Sequence, residues 1–118
     1  MILIDSSVLI DYLRGRVGRA AARFQYVLDH DIPYGINSFI FQEVLQGVKS
    51  ERDFEAVRTY LGAHKFYSLL NEKDSFVAAA KIYFDCKRKG VTIRSTIDCL
   101  IVQTALELAA TRIRPGYL

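Results

Sequence analysis

The opening stretch M-I-L-I-D-S-S-V-L-I-D-Y-L constrains the fold more than any other part of the chain. Its first four residues are apolar with no polar interruption, the pattern of a short strand covered on both faces rather than an alternating strand with one wet face. From Ser7 onward, Val8, Leu9, Tyr12 and Leu13 recur at helical spacing until Gly15 breaks the run. Asp5 therefore stands where a strand hands over to a helix. A strand covered on both faces fits a sheet with helices above and below it.

The rest of the chain reads that way. Residues 17–30 predict a second helix, and 32–36 (I-P-Y-G-I) a turn plus a short strand. Asn37 or Ser38 can cap a helix over 39–48 whose apolar stripe is Ile40, Phe41, Val44, Leu45 and Val48. Ser50 and Asp53 form a capping box for the next helix, with Phe54, Val57, Tyr60 and Leu61 facing inward and Gly62 as its stop. Residues 65–70 are a third strand candidate. Asn71, Glu72 and Asp74 open a long helix that Lys87, Arg88, Lys89 and Gly90 close, in the order the helix dipole favours. A last helix runs over 97–109. Short strands alternating with helices predict an α/β fold with a parallel sheet flanked by helices, in a single domain over 1–118.

Composition limits the classes. Charged residues make up 25% and hydrophobic residues 51% of the 118, a balance that supports a core and argues against disorder. No apolar run approaches the length that crosses a bilayer, and the opening lacks the basic, apolar and small-residue order of a leader, so the expected setting is cytoplasmic with no membrane contact. The 2 cysteines, Cys86 and Cys99, lack a C-x-x-C spacing and read as packing residues of a reducing compartment. A net charge of +3 permits an anionic partner without demanding one.

Three carboxylates occupy positions that cost something. Asp5 lies at the carboxyl end of a strand, where reactive groups gather in sheets of this class, although Asp and Ser at such a turn also serve as N-caps. On a helical projection of 97–109, Asp98 falls within the apolar arc of Ile101, Val102, Ala105 and Ala109, away from Gln103. A carboxylate aimed at a core needs a partner, whereas a Ser95-x-x-Asp98 capping arrangement would account for an acid there without any site. Glu43 sits at the margin of the Ile40/Phe41/Val44 stripe, with Gly47 leaving room one turn on; its other role is that of a boundary residue facing solvent. Acids drawn from three helices can converge above one sheet edge, and converging carboxylates are reconciled by a hard divalent cation such as Mg²⁺ or Mn²⁺. Such an ion orients a phosphodiester and lowers the pKa of an attacking water. Ser7 and Thr96 stand beside Asp5 and Asp98 as polar support or as helix-start residues. His30 and His64 are isolated, and neither a glycine-rich phosphate loop nor a nucleophile elbow is present.

M-I-L-I-D-S-S-V-L-I-D-Y-L, F-Q-E-V-L-Q-G and S-T-I-D-C-L-I-V-Q-T-A-L-E, in that order, together resemble a PIN-domain ribonuclease, specifically the VapC-type toxin of a type II toxin–antitoxin system. The resemblance covers residues 1 to about 110. It implies a PIN-like fold and a Mg²⁺- or Mn²⁺-dependent endoribonuclease acting on RNA. It also implies a homodimer, held inactive by a cognate VapB antitoxin whose C-terminal segment lies across the active site. Matched to the family motifs, Asp5, Glu43 and Asp98 are the metal-binding, catalytic acids, accompanied by Ser7 and Thr96. Asp11 belongs to the I-D-x-L segment and is read as surface or structural.

Family members continue past the last helix into another strand and an acidic D-x-D-F-like stretch that supplies a fourth carboxylate. Here the chain reads A-A-T-R-I-R-P-G-Y-L with no acid after Glu107, so the final strand and acidic segment are expected to be missing or altered, with Pro115 and Gly116 ending any strand begun over 111–113. Glu107 is a poor substitute, about 13 Å from Asp98 along the helix and on its opposite side. Truncation, frameshift and natural variation all produce such an ending. Fewer carboxylates weaken metal retention, which leaves a second function open: an impaired PIN-like module that dimerises and binds an antitoxin or RNA. A receiver-like phosphoacceptor is disfavoured because no vicinal acid pair ends the first strand. Arg14, Arg16, Arg19 and Arg23 follow the first helix, and Lys87, Arg88, Lys89 and Arg94 precede Asp98. Both groups suit RNA phosphates, and the first also suits an antitoxin.

Overall fold

The structure, a computed structural model, describes residues 2–93, 95–110 and 116–117, with side chains described as far as residue 108. Its elements run β1 (Ile2–Leu3), α1 (Ser6–Leu13), α2 (Arg19–Asp29), β2 (Tyr34–Gly35), α3 (Ser38–Gln46), α4 (Glu51–Gly62), α5 (Glu72–Arg88), α6 (Thr96–Ala110) and β3 (Gly116–Tyr117). The 3-stranded sheet has the order β2-β1-β3 and is parallel throughout, pairing Ile2 with Tyr34 and with Gly116. The α/β reading holds, and a last strand is present: Gly116, expected to end a strand, lies in one, while residues 111–113 lie outside the described residues.

Residues 65–70 do not form a strand. Phe66 makes a single parallel bridge with Ile36, fixed by Ile36 N–H donating to Lys65 O at 2.9 Å and Tyr67 N–H donating to Ile36 O at 2.7 Å. That approach dictates the residue at position 35, because a Cβ there would lie 2.6 Å from both Lys65 O and the Tyr67 ring.

Local chemistry sets most boundaries. Asn37, Ser50 and Asn71 each cap their helix by accepting from the backbone N–H three residues on, at 2.9, 3.1 and 2.9 Å. Gly90, at φ +76°, follows the basic last turn of α5. Gly62 differs from expectation in lying inside α4, which closes at Ala63.

The core gathers Leu3, Ile4, Val8, Leu9, Phe24, Val27, Ile36, Ile40, Val44, Leu61, Tyr67 and Ile101 around the sheet. Phe24 anchors one end, its ring meeting Tyr12 and Tyr34 edge-on at 4.9 and 5.3 Å. Several apolar residues expected inside are not: Phe54, Tyr60 and Val102 are all exposed. Cys99 is buried as expected while Cys86 is half-buried, and both are free thiols. Among the described residues no helix is long and apolar enough to cross a membrane.

Candidate active site

The parallel sheet sends its strands toward one edge, and the helices that follow them start there. Asp5 is the second residue past β1 and the N-cap of α1: its carboxylate accepts from Ser7 N–H at 3.3 Å and from the Ser7 hydroxyl. The capping role read from the sequence is therefore real, and it orients the carboxylate rather than competing with a site. Glu43 comes from the middle of α3, half-buried against the α1 start. Asp98 comes from the first turn of α6, also half-buried; Ser95 caps this helix through Ile97 N–H to its hydroxyl at 3.1 Å, while Asp98 N–H reaches only the Ser95 carbonyl. The side chain of Asp98 is thus not needed for the cap.

These acids act on one another. Burial holds the Glu43 carboxyl above the ordinary glutamate range, and the charges of Asp98 and then Asp5 push it the same way, against a smaller opposing pull from the Ser6 hydroxyl. Glu43 Oε1 is buried with no hydrogen-bond partner among the described residues. A buried carboxylate oxygen without a donor, in the field of two further carboxylates, is the arrangement a hard cation relieves, and an all-oxygen donor set suits Mg²⁺ or Mn²⁺. No three side chains of His, Cys, Asp or Glu among the described residues already stand together as a ligand cage. The fit is thus one of chemistry and shared field, with Asp5 directed into its own helix cap.

The supporting residues divide. Ser7 is on Asp5, as expected. Thr96 is exposed and lines the groove that α6 makes with α5, beside Phe76, Ala80 and Cys99. Arg14 and Arg16 line a cavity of about 570 Å³ between α1, α3 and α4 with Ile10, Val44, Val48 and Lys49. Arg16 also pairs with Asp11 at 3.1 Å, which makes Asp11 a surface partner. Arg19 and Arg23 are exposed on α2, and Arg94 lies outside the described residues. Burial, followed by the neighbouring Cys86 and Asp98, pushes the Cys99 thiol up, so it is not poised as a nucleophile.

Sequence reasoning missed two interior residues. Asn37, besides capping α3, donates through Nδ2 to Thr104 Oγ1 at 3.1 Å, and both are buried, at 2% and 1% exposure. A threonine among the apolar residues of α6 was the available signal. Glu107, judged only as a stand-in acid, ties α6 to the start of α5: its Oε1 accepts from Leu70 N–H at 3.0 Å and from the Ser75 hydroxyl at 2.7 Å.

Known proteins resemble this chain in sequence and in fold. Residues 2–114 match the PIN domain family. The chain is 31% identical over 113 residues to the VapC ribonuclease Mb1587 of Mycobacterium bovis and, equally, to ribonuclease VapC11 of Mycobacterium tuberculosis, over 93% of this chain and 82% of each relative. Its fold is similar to that of a chain in the crystal structure of VapBC2 from Rickettsia felis bound to a DNA fragment from their promoter. There the TM-score is 0.66 at 12% identity, covering 100% of this chain and 99% of that one.

Proposed function

The chain belongs to the PIN-domain family, and on that premise we propose that it is a metal-dependent endoribonuclease, the toxin of a type II toxin–antitoxin pair. The observation that carries this reading is the Glu43 Oε1 atom, buried without a hydrogen-bond partner among the described residues and within the field of Asp98 and Asp5. A fold that forces three carboxylates into one field does so at a cost in stability, and a divalent cation offsets that cost. Asp5, Glu43 and Asp98 would hold Mg²⁺ or Mn²⁺, which when bound supplies charge neutralisation at the phosphodiester and an acidified water.

The chain's own residues do the rest. Ser7 fixes the Asp5 carboxylate, and the partial burial of Glu43 strengthens the local effect of its charge. Arg14, Arg16 and Lys49, around the groove between α1, α3 and α4, offer positive charge to RNA phosphates or to an acidic segment of a VapB-type antitoxin. The apolar floor of that groove, Ile10, Val44 and Val48, suits the antitoxin better than RNA, and the fold's likeness to a VapBC complex supports an antitoxin partner. Phe76, Val77 and Phe84 on α5 and Val102 and Leu106 on α6 are exposed apolar side chains that a second copy in a homodimer would cover.

The test is cleavage of single-stranded RNA with Mg²⁺ or Mn²⁺ by the wild-type chain and by Asp5→Asn. Cleavage that needs the ion and drops at least about 10²-fold in the variant, as loss of several kcal/mol of charge stabilisation requires, supports the reading. Equal inertness of both chains overturns it.

A further inference from the structure

Asn37 does more than a cap requires. Its Oδ1 accepts from Ile40 N–H at 2.9 Å, a duty that Ser, Thr or Asp performs equally well. Its Nδ2 donates to Thr104 Oγ1, and the Thr104 hydroxyl in turn donates to Leu100 O at 2.8 Å. Every polar atom of this small chain of bonds has a use. Asn37 is 2% and Thr104 1% exposed, in positions where an apolar pair would avoid desolvation altogether.

The bond joins residues 67 positions apart and ties the first turn of α3 to the middle of α6. Glu43 lies further along α3, and Asp98 lies earlier on α6. Apolar contacts between two helices tolerate sliding by a fraction of a turn, but a buried hydrogen bond does not, because its strength falls steeply with distance and angle. A slip of one residue, about 1.5 Å along the axis, would break the Asn37–Thr104 bond and carry Glu43 past Asp98.

We infer that Asn37 and Thr104 are positioning residues, a buried polar link that sets the register of α3 against α6 and so holds Glu43 and Asp98 in place for a shared cation. This rests on the metal-dependent reading above. The link touches neither ion nor RNA and acts only through the helices it joins.

Thr104→Val keeps the volume and removes the hydroxyl. Thr104→Ser keeps the hydroxyl, and Asn37→Ser keeps the cap but cannot reach Thr104. Mn²⁺ binding to each chain alone, by calorimetry, is compared with kcat and KM for single-stranded RNA. Thr104→Val is expected to weaken Mn²⁺ about tenfold, the lower end of what supporting partners of metal ligands contribute, and to lower kcat at fixed Mn²⁺ with KM for RNA unchanged. Thr104→Ser should stay at the wild-type values and Asn37→Ser should match Thr104→Val. Should Thr104→Val fail to fold, Asn37→Ser decides the same question. Wild-type Mn²⁺ affinity in a folded Thr104→Val or Asn37→Ser chain, with only the melting temperature reduced, overturns the inference while leaving the ribonuclease reading intact. Absence of Mn²⁺ binding by the wild-type chain overturns both.

Discussion

Glu43 and Glu107 are both half-buried, and each has one carboxylate oxygen, Oε1 and Oε2 respectively, buried without a hydrogen-bond partner among the described residues. Their company differs. Glu107 faces donors, Ser75 Oγ and Leu70 N–H, and its charge-assisted bonds staple α6 to the start of α5. At Glu43, burial and then the charges of Asp98 and Asp5 oppose ionisation and outweigh the Ser6 hydroxyl. A buried carboxylate among donors belongs to the fold, whereas one among other carboxylates costs the fold something and is kept for what it can bind.

The largest effect separating the two is on catalysis. Glu43→Gln should reduce metal-dependent RNA cleavage by at least about 10²-fold, while Glu107→Ala leaves the rate per folded molecule near wild type. A comparable catalytic loss in Glu107→Ala would erase the distinction.

Stability should move in the opposite sense. Glu107→Ala strands the Ser75 hydroxyl and the Leu70 N–H and should cost about 1–3 kcal/mol in chemical denaturation. Glu43→Gln removes an unfavourable charge and should be more stable than wild type at neutral pH without divalent ions. The pH dependence sharpens this. A carboxyl whose pKa is raised by folding favours the folded state most at low pH, and that contribution is lost as pH rises through the raised value. The stability gap between Glu43→Gln and wild type should therefore open from below the ordinary glutamate pKa to above the raised one and stay level beyond it. A gap independent of pH would show that Glu43 does not carry the strain. Saturating Mn²⁺ should close the gap by stabilising only wild type.

The smallest effect concerns a cap that serves the fold alone. Asn71 caps α5 at 2.9 Å as Asn37 caps α3, but it is exposed. Asn71→Ala should cost about 1 kcal/mol and leave Mn²⁺ affinity unchanged, unlike changes at Asn37.

Much of this was legible beforehand, for a physical reason that also explains the misses. Asp5, Asn37, Ser50 and Asn71 were readable as helix starts because a cap bonds an N–H two or three residues away. Phe54, Tyr60 and Val102 matched an inward helical stripe and still ended exposed, because periodicity marks a face without saying whether anything covers it. Residues 65–70 carried strand-like composition but pair through Phe66 alone, since a ladder needs a partner of matching length.

From the amino-acid order alone came the α/β class, the sheet's parallel sense, the caps, and three acids at the starts or faces of three helices. Tertiary structure alone decided that Glu43 falls within the field of Asp98 and Asp5, that Asn37 reaches Thr104, and that Glu107 ties helices. The first set depends on bonds and spacings within a few residues. The second depends on where many weak contacts, summed across distant parts of the chain, bring each helix to rest.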